Sequence, residues 1–210
     1  MNVRLIAFTQ PVEGIGIENL NDFVAYVARV SNPANQLNTE TSARLVDYLK
    51  KQNHWSPFEM ASIVMEIKTT RDIAHQILRH RSFSFQEFSQ RYANVIAEPV
   101  IRESRLQDKK NRQNSLENSN AELENEWVRR QVSVANLSTE TYGWALEQGI
   151  AKEVARAVLP EGMTETTLYM SGTIRSWIHY CELRCTLGTQ KEHREVAMEC
   201  RGILEGLLSK

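Results

Sequence analysis

The chain has 210 residues, of which 41% are hydrophobic and 24% are charged, and its formal net charge is −1. This length can bury a sizeable core as a single domain covering 1–210 and argues against two full domains. The near-neutral charge excludes a global positive field that would recruit nucleic acid or a membrane surface, so any anion site must be local. The longest apolar runs are too short for a membrane span or a signal peptide, which predicts a cytoplasmic protein.

Hydrophobic periodicity predicts both strands and helices along the chain. Alternating or β-branched apolar residues favour strands at 3–9, 60–69 and 166–171. Apolar residues at helical spacing predict helices at 21–30, 39–52, 71–80, about 125–145, 150–158, 174–185 and 192–208. The predicted fold class is therefore α+β, a helix-rich domain with a small, mostly antiparallel sheet.

The segments between these elements are predicted to be loops. Gly14-Ile-Gly16 misses the dinucleotide-binding fingerprint because Asn19 stands where its third glycine belongs, so we interpret it as a loop. A short loop around Pro57 and a structured loop at 81–91 are also expected. The stretch near 103–120 is strongly polar and predicts an exposed loop or lid before the long helix.

Three cysteines, Cys181, Cys185 and Cys200, make an odd number that is typical of free thiols in a reducing compartment. Cys181 and Cys185 would share a helix face, as metal ligands do. The sequence has no second cysteine or histidine pair at ligand spacing, so we predict no metal site. None of the cysteines has the basic surroundings of a nucleophilic thiolate.

Anion-binding side chains concentrate in the segment Arg79–Tyr92, which has the sequence RHRSFSFQEFSQRY. Arginine presents forked donors that match phosphate oxygens, and serine hydroxyls add short donors. Favourable placement at a helix C-terminus explains one or two cations, but not a series that continues to Arg91. The segment therefore favours an anionic-ligand site, with a solvated charged face as the alternative. Gln76 would share the helix face of Arg79 and His80.

Four segments of the chain, in order, resemble motifs of the flavin-dependent thymidylate synthase (ThyX) family. Arg79-His80-Arg81, seven residues and then Ser89 is similar to the signature R-H-R-x7-S, and Arg91 matches its extended form. Three further segments are similar to the family's H-x-S/T-P-F-E, A-R-x-x-L-P and R-S-x-x-x-(F/Y)-x-x-L-R motifs: His54–Glu59, Ala155–Pro160 and Arg175–Arg184. The sequence departs from the family pattern at Gln86, Thr173, His179 and 185–190.

The resemblance implies an enzyme that methylates dUMP at the uracil ring to give dTMP. In this family FAD delivers hydride, methylenetetrahydrofolate supplies the carbon, and NADPH reduces the flavin. It also implies a homotetramer with active sites at subunit interfaces. Because the cofactor carries the redox chemistry, the protein has to bind and orient the cofactor and the substrates and to provide the electrostatic environment for the reaction.

The resemblance also assigns a dUMP site, in which Arg184 is the catalytic residue. A guanidinium at the uracil edge would stabilise negative charge that develops in the ring. Arg91 and Arg156 would hold the phosphate, although Arg156 alone could be a surface cation. Ser89 would donate to the phosphate, since no adjacent general base would activate it as a nucleophile. The implied dUMP contacts are Gln76, Ile77, Leu78, Arg79, Glu87, Phe88, Ser89, Gln90, Arg91, Arg156 and Arg184.

Three of the segments are implied to hold FAD. The implied contacts are His54, Ser56, Arg79, His80, Arg81, Glu87, Thr173, Ile174, Arg175 and His179. Without the resemblance, Ser56 is a turn cap, and Glu87 is a structural partner of nearby arginines. Arg175 and His179 share a face of their predicted helix, whereas Arg184 lies about half a turn away, so one helix would serve two sites.

A rival hypothesis of another class is a nucleic-acid-binding module that uses the basic residues of Arg79–Tyr92 with Phe83, Phe85 and Tyr92 as stacking platforms. The near-neutral charge and the lack of a second basic patch argue against it, and we expect no nucleic-acid or membrane partner. A flavin-free phosphotransferase would need a Walker-type lysine loop or a carboxylate cluster, and the sequence has neither.

Overall fold

Six strands lie within the residues that the computed structural model describes, which are 2–95 and 98–209. They are β1 (Asn2–Phe8), β2 (Ser62–Thr70), β3 (Ser84–Glu87), β4 (Arg105–Gln107), β5 (Ser115–Glu117) and β6 (Glu165–Thr173). Four of them form one sheet in the order β1-β2-β6-β3, in which every neighbouring pair is antiparallel. Strands β4 and β5 pair separately, also antiparallel. The predicted α+β class with a small antiparallel sheet is confirmed.

Seven α-helices lie in the described part of the chain. They are α1 (Leu20–Ala28), α2 (Ser42–Lys51), α3 (Arg71–Ile77), α4 (Ala121–Glu147), α5 (Lys152–Ala155), α6 (Ile174–Arg184) and α7 (Lys191–Leu208). The side chains of Asn19, Asn120 and Thr173 accept hydrogen bonds from the first turns of α1, α4 and α6, as capping residues do. None of the described helices has both the length and the apolar character that a membrane crossing requires.

The main core lies between the sheet and helices α1, α2, α3, α6 and α7. In β2, Ile63, Met65 and Ile67 alternate inward and are fully buried, which contributes roughly 1.5–3 kcal/mol for each side chain. They pack in one cluster with Trp177 of α6 and Val196 of α7. The Trp177 indole N–H donates to the Ile63 carbonyl at 3.1 Å, so the largest buried ring also has a hydrogen-bond partner.

Two elements near the basic segment, Arg79–Tyr92, differ from the sequence prediction. Residues 81–91 were expected to form a loop, but Ser84–Glu87 is strand β3, paired with β6. Four residues are too few to show a period, and pairing with the neighbouring strand decides their conformation. The helix predicted at 71–80 ends at Ile77, since the chain has to turn before β3. Arg79 and His80 therefore lie beyond the helix, and the expectation that they share a helical face with Gln76 is wrong.

Three further segments are more ordered or shorter than predicted. The polar stretch near 103–120 contains the paired strands β4 and β5. A 3-10 turn at Ser56–Glu59 replaces the expected loop around Pro57. The helix predicted at 150–158 is limited to α5 and a following 3-10 turn, Arg156–Val158. It stops there because Leu159 is extended before Pro160, as the proline ring requires.

Strand β6 carries a glycine where the basic segment meets the sheet. A Cβ atom on Gly172 would lie 2.4 Å from the Phe83 ring. Phe83 is only 9% exposed and packs edge-on against Trp177, with ring centroids 4.9 Å apart. The missing side chain at Gly172 therefore lets Phe83 dock, and the docked ring fixes the segment between His80 and β3.

We predict that Gly172→Ala destabilises the protein by about 1–3 kcal/mol, because the added methyl group displaces the Phe83 ring from a well-packed site. Urea unfolding measures the loss. The matched control is Gly202→Ala in α7, where a Cβ atom meets nothing within 4 Å. That change should stabilise the helix by roughly 0.5–1 kcal/mol. A Gly172→Ala protein as stable as the parent would contradict the role of this contact.

Candidate active site

The basic segment follows the edge of the sheet from the end of α3 to the start of α5. Its central strand β3 pairs with β6, and the Phe88 N–H continues this ladder by donating to the Thr167 carbonyl at 2.9 Å. Arg79 and Arg81 are exposed, and neither forms an ion pair or a side-chain hydrogen bond with another residue in the described ranges. The pairing therefore fixes the backbone while leaving two cations available to a ligand.

His80 and Arg184 meet at the centre of this region, although they are 104 residues apart in the chain. The Arg184 Nε–H donates to His80 Nε2 at 2.9 Å. A ring nitrogen that accepts a hydrogen bond carries no proton, so the His80 proton must be on Nδ1. Burial and the charge of Arg184 lower the pKa of His80 to about 4, which keeps the imidazole neutral. The bond orients the guanidinium through Nε and leaves Nη1 and Nη2 for a ligand.

Glu87 has a structural partner that the sequence did not indicate. Its Oε1 accepts from Arg71 Nη1 at 3.2 Å and from Thr166 Oγ1 at 2.9 Å. Arg71 belongs to α3, so Glu87 is not paired with the arginines of its own segment. Its second oxygen, Oε2, accepts no hydrogen bond from the residues that the structure describes, and it stays available for a ligand.

The end of the basic segment is attached to α5. Arg91 Nε lies 3.3 Å from Glu153 Oε2, with both side chains more than half exposed, and Lys152 donates to the Tyr92 carbonyl. Arg156 follows α5 directly, as the first residue of the 3-10 turn Arg156–Val158. Gln90 is 3% exposed, and its Nε2 has no hydrogen-bond partner among the described residues. A buried amide N–H without an acceptor is costly, and a bound polar ligand would satisfy it.

The segments implied to hold FAD also come together. Arg175 forms an ion pair with Glu59, and the His179 ring packs edge-on against Trp55 with centroids 4.5 Å apart. These contacts join helix α6 to the 54–59 segment. The Ser176 hydroxyl donates to the Ser82 carbonyl at 3.2 Å, which brings the start of α6 beside the basic segment.

Two of the implied ligand contacts have side chains in the core. Ile77 and Ile174 are fully buried, so only their backbone atoms could face a ligand. The Ile174 N–H already donates to the Ala61 carbonyl at 2.9 Å. Thr173 caps α6 with its hydroxyl, which accepts from the Ser176 N–H. Its role in this structure is therefore that of a helix cap.

Helix α6 contacts two different parts of the molecule, as its spacing predicted. It extends through Arg184, so the argument from helix geometry holds. Arg175 and His179 contact the 54–59 segment, whereas Arg184 contacts His80. The ligand assignments of these faces stay predictions.

A set of buried polar residues is hydrogen-bonded to Gln76, and the sequence did not indicate it. The Gln76 amide is hydrogen-bonded to Gln190 and His193, and His193 also contacts the Tyr180 hydroxyl. His193 is fully buried, and Glu192 is 5% exposed. Their only signal was a histidine and a carboxylate at the start of a helix, which is equally typical of an exposed first turn.

The half-buried His80 and the buried His193 predict a pH range in which the fold loses stability. Burial and the nearby Arg184 charge lower the pKa of both His80 and His193 to about 4, below the ordinary 6.5. In this range the unfolded chain binds protons that the folded chain does not, so stability falls as the pH is lowered from 6.5 towards 4. Carboxylates with a lowered pKa, such as Glu192, lose their contribution to the stability of the fold only below about pH 4.5.

We therefore expect the free energy of unfolding to fall between pH 6.5 and 5, and to fall less in His193→Phe, which lacks one of the two groups. Urea unfolding at each pH measures both proteins. The same pH dependence in the variant and in the parent would show that His193 does not contribute.

Comparison with known proteins places these features in a family. A family model described as thymidylate synthase complementing protein matches residues 17–208. The chain is 51% identical over 203 residues to a probable flavin-dependent thymidylate synthase from Paramecium bursaria Chlorella virus 1, covering 97% of this chain and 93% of the relative. It is 49% identical to a flavin-dependent thymidylate synthase from Synechocystis sp., covering 97% of this chain and 94% of the relative.

The fold also matches a solved structure that contains a nucleotide. The crystal structure of the UMP/dUMP methylase PolB from Streptomyces cacaoi bound with 5-Br dUMP superimposes with a TM-score of 0.81 at 25% identity, covering 98% of this chain and 90% of that chain. The match to the family model, the two full-length relatives and the shared fold agree with one another. The chain belongs to the flavin-dependent thymidylate synthase family.

Proposed function

We propose that this chain methylates dUMP to dTMP as a flavin-dependent enzyme. Family membership over nearly the whole chain and the fold shared with a dUMP methylase support this function. The observation that carries the proposal is the bond from Arg184 to a neutral His80, because it holds a guanidinium in place with its terminal nitrogens unused. A fixed cation of this kind is what the developing charge on a uracil ring needs.

Arg184 is proposed as the catalytic residue through its contact with the uracil edge. Its Nη1 and Nη2 groups would donate to the N3/O2 edge of the ring and favour the ionised form, which makes the ring carbon more nucleophilic. His80 fixes the plane of the guanidinium through Nε and leaves Nη1 and Nη2 for the uracil ring. Arg184 therefore needs little reorganisation during the reaction. No cysteine is needed as a nucleophile, and burial raises the pKa of Cys181 to about 12, which disfavours a thiolate.

The nucleotide phosphate is proposed to bind between Arg91 and Arg156, with Ser89 as an additional donor. The ion pair between Arg91 and Glu153 is exposed, and such pairs contribute only about 0–1 kcal/mol. A phosphate dianion therefore competes readily with Glu153 for the guanidinium. The unsatisfied Nε2 of Gln90 supports a polar ligand in the same segment.

The FAD site is proposed along the segments that α6 joins, with His54, Ser56, Arg81, Arg175 and His179 as contacts. The residues fit a flavin nucleotide because the 54–59 segment, to which Arg175 is joined through Glu59, also borders an apolar groove. The groove borders Ser56 and has a volume of about 470 Å³, lined by Tyr26, Val27, Ala28, Val30, Gln36, Pro57 and Met60. When bound there, FAD supplies hydride transfer, and these residues bind and orient it.

The finer parts of the function rest on the family resemblance. They are methylenetetrahydrofolate as the carbon donor, NADPH as the reductant, a homotetramer with shared active sites, and a cytoplasmic location. The exposure of Arg79, Arg81 and Tyr92 supports shared sites, since it leaves the nucleotide region open to another subunit. The single-domain organisation and a lid role for 103–120 are also predictions.

Two of the three aromatic rings that the rival nucleic-acid-binding hypothesis uses for base stacking are packed against other parts of the protein. Phe83 is buried against Gly172 and Trp177, and Phe85 packs against the core. Tyr92, at 78% exposed, is the remaining exposed ring of the three. One exposed ring does not form the series of platforms that single-stranded nucleic acid requires.

Tritium release from uracil-5-labelled dUMP, with methylenetetrahydrofolate, NADPH and FAD, tests the proposed function. We expect the parent protein to release tritium and to be yellow when purified. Arg184→Ala should bind FAD as the parent does but lose at least about 100-fold in turnover, as removal of a single transition-state donor typically does. The matched control is Arg44→Ala, which removes an exposed arginine from α2.

Two results would contradict this account. A colourless parent protein without tritium release would exclude the proposed activity. An Arg184→Ala protein that loses flavin but keeps turnover when FAD is added in excess would show that Arg184 belongs to the cofactor site.

A further inference from the structure

A chain of hydrogen bonds connects strand β4 to the proposed nucleotide site. Arg105 Nη2 donates to Glu192 Oε1 at 2.6 Å, and Gln190 Nε2 donates to Glu192 Oε2 at 2.9 Å. The Gln190 Oε1 atom then accepts from Gln76 Nε2 at 2.8 Å. These bonds attach the Gln76 amide to a buried carboxylate through one intermediate amide.

The chain continues from the other side of the Gln76 amide. His193 Nδ1 lies 3.2 Å from Gln76 Oε1, and His193 Nε2 lies 3.2 Å from the Tyr180 hydroxyl oxygen. Tyr180 packs edge-on against His80, with ring centroids 4.9 Å apart. The chain of hydrogen bonds therefore ends at Tyr180, whose ring contacts the imidazole that is hydrogen-bonded to Arg184.

The direction of every bond in this chain follows from Glu192. An ionised carboxylate only accepts, so Gln190 must turn its NH2 group towards Glu192 and its oxygen towards Gln76. Gln76 must then donate to Gln190, which turns its own oxygen towards His193. His193 has to donate from Nδ1, and its Nε2 accepts the Tyr180 proton.

The ionisation states that this direction requires agree with the surroundings of each group. Burial opposes ionisation of Glu192, but the hydrogen bonds it accepts, including that from Arg105, lower its pKa overall. Burial and the Arg184 charge lower the pKa of His193 to about 4, so the ring is neutral. Burial raises the pKa of Tyr180 well above its usual value, so the hydroxyl keeps the proton that it donates.

We propose that His193, as the Nδ1–H tautomer, is a positioning residue that fixes the orientation of the Gln76 amide for the uracil nucleotide. The inference rests on the proposed function and on the family resemblance, which assigns Gln76 to the dUMP site. The Gln76 amide has one N–H and one oxygen lone pair left after its two internal bonds. Since uracil presents donors and acceptors in a fixed order, a flipped amide would oppose donor to donor and acceptor to acceptor.

Three variants, prepared with FAD bound, separate this role from simple packing. His193→Phe removes both bonds of the imidazole and keeps a ring of similar size. Tyr180→Phe removes only the bond at Nε2 and leaves the Gln76 contact in place. His193→Asn keeps a donor close to the position of Nδ1, so it is the conservative variant that should rescue the effect.

We expect the dissociation constant and the KM for dUMP to rise about tenfold in His193→Phe, while kcat changes less than about twofold. Tyr180→Phe should stay within about twofold of the parent for both, and His193→Asn should recover most of the loss. Isothermal titration with dUMP and steady-state kinetics measure these values, and thermal unfolding confirms that each variant is folded. Equal effects of His193→Phe and Tyr180→Phe would overturn the inference.

The tautomer is tested in the unmodified protein, which does not depend on variant folding. The ¹⁵N chemical shifts of the His193 ring should show a proton on Nδ1 and none on Nε2 between pH 6 and 8. A proton on Nε2 would overturn the inference. A parent protein that does not bind dUMP would overturn the proposed function and this inference together, whereas normal dUMP binding by His193→Phe would overturn the inference alone.

Discussion

The hydrogen bond between Arg184 Nε and His80 Nε2 requires an imidazole that has no proton on the accepting nitrogen. Burial and the positive charge of Arg184 both lower the pKa of His80, so the arginine helps to keep its own acceptor neutral. The bond also joins the last residue of α6 to the turn that follows α3. This hydrogen bond therefore connects two segments that are distant in sequence, and the proposed uracil and flavin sites extend from it.

The arginines of this region divide into two groups by their partners. Arg71, Arg102 and Arg105 are paired with carboxylates at 3.2 Å or less and hold the fold around α3, β4 and α7. In contrast, Arg79, Arg81 and Arg156 have no carboxylate partner among the residues that the structure describes, and the pair of Arg91 is solvent-exposed. Although the chain has a net charge of −1, these four arginines keep their charge available on the basic segment and directly after α5, where a dianionic nucleotide is proposed to bind.

The sequence alone predicted the fold class, most helices and the segments that converge on the candidate site, because these depend on periodicity and on motif spacing. It could not predict β3, whose four residues become a strand by pairing with β6. It also could not predict the partners of the motif residues, such as Arg71 for Glu87, since these depend on tertiary packing. The buried contacts of His193 were missed because a polar residue in the core leaves no periodic signal.

A crystal structure of the protein with dUMP and FAD tests the central claim most directly. The account predicts that the uracil ring lies against the Nη1 and Nη2 atoms of Arg184 while Nε still donates to His80, with the flavin on the side of His80 and His179. Both ligands bound away from Arg79–Arg91 and Arg184, or a His80 ring that no longer accepts from Arg184, would contradict it.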